Sequence, residues 1–445
     1  MHHIWAIIEL TSAIARLLEQ PDLARLARVC RDLWEAAVPL IWKELNDISV
    51  FRPLLKIAGD KWGGFDCPTD KLTAQPHYEG LSNNRLALHA KFVRRLKCVL
   101  DMTRYPVLKA LLNAPSFNGS LVNLKSLEII LYPLDDTCDG VALFRTFYTP
   151  ILTHLRITVN SISDQNRTEP LRGLIQAVTT WDLPALQNLG LLWRISTRVD
   201  PSPIEQVLRT HQQLRVVEIA MPECSQEIIE TVKQLPALQT LKLNYWDGPD
   251  EPFLPTSPTM MRGFPRLISL DIRSNLSPIR HLLTLIESDQ MRVFKMSASH
   301  VNTALDHRMD SMLECLTRFK GLKEVELHLG INIIWEDIEP VLACRGITRF
   351  SLISNLAHWI PVERTHLDAM VQAWPDLSCL ELTNSYYPSS LGGPLIELAD
   401  LLHITNIRPS IRTLRISFDA HRYGQEDVVA LVPSPTESIS PSRLE

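Results

Sequence analysis

The nine residues LPALQTLKL, positions 235–243, carry apolar side chains at Leu238, Leu241 and Leu243, a spacing of i, i+3 and i+5. The last two alternate, as one buried face of a short strand requires, and the first turns inward just ahead of it. The spacing returns at Leu124, Leu127, Ile129, at Leu152, Leu155, Ile157, at Leu186, Leu189, Leu191, and at Leu214, Val217, Ile219. Further copies are Leu267, Leu270, Ile272; Leu322, Val325, Leu327; Ile347, Phe350, Leu352; Leu377, Leu380, Leu382; and Ile411, Leu414, Ile416. Weaker copies begin at Val93 and Met291.

Twelve starts from 93 to 411 give a mean spacing of (411 − 93)/11, about 29 residues, within the leucine-rich-repeat range. Five copies carry proline two residues before the first apolar position: Pro184, Pro236, Pro265, Pro375 and Pro409. Proline there stops a preceding helix and holds the chain extended. Helical segments lie between the strands. SPIRHLLTLIES has Pro278 early and a stripe of Ile279, Leu282, Leu283 and Ile286, and SQEIIETVKQL begins with Ser225 as an N-cap. One such unit cannot bury its own apolar faces, whereas stacked units can. An ordinary α/β domain can contain one LxxLxL run by chance; ten in order argue for stacking. The expected fold is α/β: a short N-terminal helical unit, then an arc-shaped leucine-rich-repeat solenoid with parallel strands concave and helices convex.

The expected boundaries are 1–46 for the helical unit, 47–91 for a linker or loop region, 92–420 for the solenoid and 421–445 for a polar, disordered tail. Residues 247–262, with four prolines, read as an insertion between repeats. The chain has 445 residues, 45% apolar, with a formal net charge of −5, which argues against nucleic acid as a partner. Its 8 cysteines are scattered, which fits a reducing compartment and no zinc knuckle. Glu9 and Arg16 interrupt the apolar start and no basic run precedes it, so neither a signal peptide nor a membrane span is expected. Cytoplasm or nucleus is the expected location.

No phosphate-binding, nucleophile-elbow or HExxH motif occurs. His358, Glu363 and His366 lack the spacing of a helical metal pair, and Asp135, Asp136 and Asp139 read as a solvated acidic loop. No nucleophile–base constellation is visible, so the chain is read as a non-enzyme without metal or cofactor.

The first 46 residues hold two stripes: Leu10, Ile14, Leu17, Leu18, and then Leu23, Leu26, Ala27, Cys30, Trp34, Ala37, Val38, Ile41 around a break at Arg31–Asp32. Pro21 suits the first turn of a helix. So small a unit rarely stands alone. It either caps the first repeat or holds a partner. The segment resembles an F-box, particularly those that open fungal proteins with irregular leucine-rich repeats. It supplies Glu9, Ile14, Leu18, Asp22, Leu23, Val29, Cys30, Arg31, Trp34 and Trp42 in the family's order, with Ile8 where the family has proline. The resemblance implies a substrate receptor of a Skp–cullin–F-box ubiquitin ligase. The helices would dock on a Skp-type adaptor, and through it a cullin, while the repeats hold an unidentified target protein. Leu10, Ile14, Leu23, Val29 and Trp34 are the candidate adaptor contacts.

Outward residues alternate with the buried ones along each strand. Lys242, Asn244, Asp271 and Arg273 fall on that face, beside Tyr245 and Trp246. Aromatics near arginine suit a protein hot spot, and these six are the candidate target contacts.

Overall fold

The structure is a computed structural model that describes residues 8–54, 83–101, 104–114, 117, 119–132, 146–160, 176–194, 200–222, 225–245, 262–298, 309–330, 333–355, 362–384 and 396–417. The acidic loop at Asp135, Asp136 and Asp139, nearly all of the proline-rich insertion, most of the linker and the C-terminal tail lie outside the described residues. The chain divides into two compact units, Met1–Leu214 and Arg215–Glu445.

The first unit opens with three helices: α1 (Ile8–Arg16), α2 (Gln20–Leu26) and α3 (Arg31–Ile41). Pro21 sits in the first turn of α2, where its missing N–H costs no bond. Ala15, Leu23 and Ala37, one from each helix, form a small buried core, with Leu18, Leu26, Ala27, Leu40 and Ile41 packed around it. Among the described residues five strands follow in sequence order, each parallel to the last: β1 (Glu44–Leu45), β2 (Arg95–Leu100), β3 (Ser126–Leu131), β4 (His154–Asn160) and β5 (Asn188–Arg194). Helices α4 (Asn83–Ala90), α5 (Tyr105–Leu112) and α6 (Ser202–Thr210) belong to the same unit.

Strand β1 lies in the segment read as purely helical. It matches the repeat spacing at Trp42 and Leu45 but has Asp47 at the third apolar position. Asp47 cannot enter the core. Its carboxylate accepts from the Ser49 N–H at 2.8 Å and from Arg104 Nε at 2.9 Å. Burial works to raise its pKa, but these bonds outweigh it and hold the carboxyl below its ordinary value. The described ends of residues 47–91 are helical: a 3-10 helix at Ile48–Leu54, with Ile48 and Phe51 fully buried, and α4, with Leu86 and Ala90 inside.

Among its described residues the second unit has eight parallel strands in sequence order: β6 (Val216–Met221), β7 (Thr240–Tyr245), β8 (Ser269–Arg273), β9 (Val293–Ala298), β10 (Glu324–Leu329), β11 (Arg349–Ser354), β12 (Cys379–Asn384) and β13 (Thr413–Ile416). Its helices are α7 (Gln226–Lys233), α8 (Leu276–Leu285), α9 (Met309–Glu314), α10 (Trp335–Ile338), α11 (Arg364–Ala373) and α12 (Leu398–Ile407). Ser225 caps α7, its hydroxyl accepting from the Ile228 N–H at 3.3 Å. Ile279, Leu282, Leu283 and Ile286 are buried, as their spacing predicts.

The apolar triplets point inward. Leu241 and Leu243 are buried, and so is every other triplet member except Ile416 on the last strand, which is half-buried. The strand core meets the helix layer directly: Phe350 of β11 packs on Trp374, at the end of α11, with ring centroids 4.8 Å apart. Each of the five prolines occupies the second position of a turn in which the first apolar residue donates back three residues. Leu186 donates to Leu183 at 3.1 Å and Ile411 to Arg408 at 3.1 Å. Proline's fixed φ suits that position, a second reason for its recurrence. Sequential parallel strands, in-register pairing and buried triplets make each unit a leucine-rich-repeat solenoid.

Phe264 precedes one of these turns with φ 58°, a left-handed conformation rare for a bulky residue, and is fully buried. Next to it, a Cβ on Gly263 would lie 2.0 Å from Cγ of Lys233 and 3.0 Å from its carbonyl oxygen. Lys233 is itself 5% exposed and ion-paired with Glu230, so its stem has little room to move. Gly263→Ala is expected to destabilise the second unit by about 1–3 kcal/mol, read as a lowered urea midpoint. An unchanged midpoint would mean that Lys233 does not pack beneath this glycine.

Candidate functional site

Because neighbouring strands are parallel and in register, the residue between the two buried strand positions forms a continuous outer row. In the second unit that row is Glu218, Lys242, Asp271, Lys295, Glu326, Ser351, Glu381 and Arg415. Strand spacing sets about 4.8 Å between successive members. Charge alternates along it as far as Glu326. Lys295 donates to Glu326 at 2.6 Å and ion-pairs with Glu324 at 2.8 Å, and Glu326 also contacts His328 Nε2 at 2.6 Å. Where Ser351 interrupts the alternation, its hydroxyl donates to Glu381 at 3.1 Å, and Arg415 lies 3.7 Å from the same carboxylate.

Burial works to lower Lys295's pKa, but its bonds to Glu324 and Glu326 outweigh this and raise it. Burial likewise works to raise Glu326's, and the bonds from Lys295 and His328 pull it below the ordinary value. At Asp271 burial prevails over the attraction of Lys242 and Lys295, and the carboxyl is pushed up.

The described target candidates share two neighbouring strands. Lys242 faces Asp271 and Asn244 faces Arg273 in register. Lys242 and Arg273 are exposed, and Asp271 and Asn244 are half-buried. Asn244 Oδ1 is buried with no hydrogen-bond partner. Tyr245 ends β7, but its side chain and all of Trp246 lie outside the described residues.

The adaptor candidates separate by burial. Leu10 is 45% exposed and Val29 69%, and Ile14 is half-buried. Leu23 lies inside the three-helix core. Trp34 is half-buried, edge-on to His89 of α4 at 6.3 Å, and Trp42 stacks on the same imidazole at 4.6 Å. Burial among these rings, followed by the nearby Arg85 charge, pulls the His89 pKa down. Leu17, which the periodicity places on the α1 stripe without marking it as a contact, is 86% exposed. The helix ends at Arg16, and Leu17 turns off the stripe. Only the missing helical turn could have signalled that.

Glu363 and His366 have a local structural role. Glu363 is the N-cap of α11, its N–H donates to His366 Nδ1 at 3.1 Å, and His366 stacks on Trp335 at 4.2 Å. His358 lies outside the described residues. Among the described residues no group of three or more His, Cys, Asp or Glu side chains could hold a metal ion, and no helix is long and apolar enough to cross a membrane. Cys344 is buried, which pushes its thiol up to about 11, away from the range of a reactive cysteine.

No protein-family model matches the chain. No curated protein matches it either. Solved structures do. The leucine-rich-repeat protein LegL7 from Legionella pneumophila is 14% identical with a TM-score of 0.39, covering 70% of this chain and 96% of its own. The complex of Rad7 and Elc1 in yeast is 14% identical over 71% of this chain and 77% of that one, with a TM-score of 0.37. The leucine-rich-repeat domain of APL1B is 12% identical, covering 62% of this chain and 65% of its own, with a TM-score of 0.28. These scores are low, and the assignment to leucine-rich repeats stands on strand order, register and burial.

Lys295→Met would leave Glu324 and Glu326 side by side without their shared cation. The expected loss is about 1 kcal/mol at neutral pH, given the partial exposure of all three groups. Glu326's lowered pKa contributes stability above its ordinary 4.5 that is lost as pH falls through the folded value; Lys295's raised pKa contributes stability below 10.5 that is lost as pH rises through its folded value. The difference between variant and parent should therefore be widest between those limits and shrink in acid. Urea midpoints across pH would show it, and a pH-independent difference would contradict this assignment.

Proposed function

We propose that this protein is the substrate-recognition subunit of a Skp–cullin–F-box ubiquitin ligase, with the three helices docking on a Skp-type adaptor and the repeats holding a target protein. One observation carries the adaptor half of the reading: a unit of three short helices leaves Leu10, Leu17 and Val29 exposed at 45%, 86% and 69%. Large apolar side chains exposed on one small helical unit are the ones a docking partner would cover. The resemblance to an F-box over the same residues adds support. In this reading Leu10, Ile14, Leu17 and Val29 make contact, while Leu23 and Trp34 hold the helices in position from within. The target half rests on the outer face of β7 and β8, where Lys242, Asn244, Asp271 and Arg273 stand together, with Tyr245 and Trp246 next in the chain.

A second reading has its own observation. Strand β1 pairs with β2, and Trp34 and Trp42 pack on His89, so the helices are fastened to the first repeats as a cap would be. The chain is then a leucine-rich-repeat scaffold for protein binding, with no adaptor.

Affinity purification of the full chain separates the two. Co-purification of adaptor and cullin is expected, and the double variant Leu17→Asp, Val29→Asp should lose at least about 2 kcal/mol of adaptor affinity with an unchanged circular dichroism spectrum. Recovery of other partners with no adaptor would overturn the ligase reading and favour the cap.

A further inference from the structure

A second charged feature runs along the rim where the strands begin. The residue immediately after the first apolar position of each repeat is basic in six of the twelve copies, Arg94, Lys125, Arg215, Arg292, Lys323 and Arg412, and acidic in none. Composition does not explain this, because acids outnumber bases in the chain, 50 to 45. The backbone ladder extends to this position and sets its members side by side: the Lys323 N–H donates to the Arg292 carbonyl at 2.8 Å, and Thr348 donates to Lys323 at 2.8 Å.

In the second unit the density peaks from β8 to β11. There the turns and strand starts carry Arg266, Arg292, Lys320, Lys323, Arg345 and Arg349. The turns are nested. A Cβ on Gly321 would lie 3.3 Å from the Met291 carbonyl, and one on Gly346 would lie 3.0 Å from that of Leu322. Such close stacking keeps the cations of successive turns near the strand spacing, so the stretch spans roughly 15 Å. The acids there are Glu287, Asp289 and Glu324, and Glu324 is already held by Lys295 at 2.8 Å. Among the described residues, none of the six cations has an ion-pair or hydrogen-bonding side-chain partner. All six are exposed. Like charges on neighbouring strands destabilise a sheet. The outer row offsets that by alternating its signs; on this stretch of the rim six cations stand with three acids, one of which, Glu324, faces Arg349 in register.

The geometry points to a docking site for a carboxylate-rich polypeptide segment along this rim, from the turn at Arg266 to that at Arg345. Opposite charge at closely spaced positions favours such a partner and would speed its capture. Single-stranded nucleic acid is the other polyanion of suitable charge, but its binding grooves supply aromatic platforms for the bases. Among the described residues of this unit no aromatic side chain is exposed. The site deepens the reading of the repeats as a target-binding surface and rests on it, while it does not depend on adaptor docking.

The test uses the full chain, a fluorescent oligoglutamate peptide and an oligothymidylate of equal charge, each titrated at low salt and at about 0.15 M salt. Oligoglutamate is expected to bind more tightly than oligothymidylate, with affinity falling as salt rises. The triple variant Arg292→Glu, Lys323→Glu, Arg345→Glu should weaken it roughly tenfold or more. The corresponding triple alanine variant, a milder change to the same exposed positions, should weaken it in the same direction and keeps the test informative if the reversal misfolds. No binding of the parent at low salt, unchanged binding by the variants, or tighter binding of oligothymidylate would each overturn the proposal. Adaptor capture by the alanine variant distinguishes the two failures: it should be normal whether or not the rim binds acidic segments.

Discussion

The outward side chains of the described strands are positioned by the backbone ladder between one strand and the next. A strand of six residues has no stability alone, and its apolar pair is buried only when a neighbour stacks in register. Register follows from the inward pattern, because a slip of one residue would exchange buried Leu241 and Leu243 for Lys242 and Asn244. The outer rows are thus a consequence of the core. Lys242 stands beside Asp271, and Lys295 beside Glu326, because Leu241, Leu270, Phe294 and Val325 are paired inside.

The two outward features meet their electrostatic cost differently. In the outer row, opposite charges are neighbours, and the half-buried carboxylate of Glu326 is held ionised by Lys295 and His328. Removing one member leaves its neighbours unpaired, so these residues contribute to the stability of the sheet as well as to its surface. At the turns and strand starts from β8 to β11 the same ladder gathers cations that make no ion pair among the described residues. The outer row thus presents paired charges and hydrogen-bonding groups, and this stretch of the rim presents an excess of positive charge.

The repeat core was legible in the sequence because its signal is redundant. Twelve triplets, the prolines and the helix stripes agree, and each strand they predict is present. Strand β1 was not, because Asp47 replaces the third apolar residue and the bond from Arg104 that satisfies it comes from 57 residues away. The candidate contacts were harder for a related reason. Periodicity assigns a residue to a helical stripe but does not say whether another helix covers it. The family resemblance marks Leu23 and Val29 alike, yet Leu23 is inside the helical core, whereas Val29 falls in the turn after α2 and is 69% exposed. Leu17 was obscured by the end of α1. The basic rim is periodic and shows when the positions after the first apolar residue are aligned; strand alternation does not reveal it, because those positions lie just ahead of the strands.

The register of the outer row is the claim on which both surface readings rest, and pairwise cysteine cross-linking tests it directly. Cysteines at Lys242 and Asp271, and separately at Asp271 and Lys295, occupy facing positions on adjacent parallel strands. Each pair should be joined efficiently by a short bifunctional thiol reagent, with the linked peptides identified by mass spectrometry. Lys242 paired with Ile272 should not be joined, because Ile272 is buried on the opposite face. Equal linking of the shifted pair, or no linking of the facing pairs, would contradict the ladder.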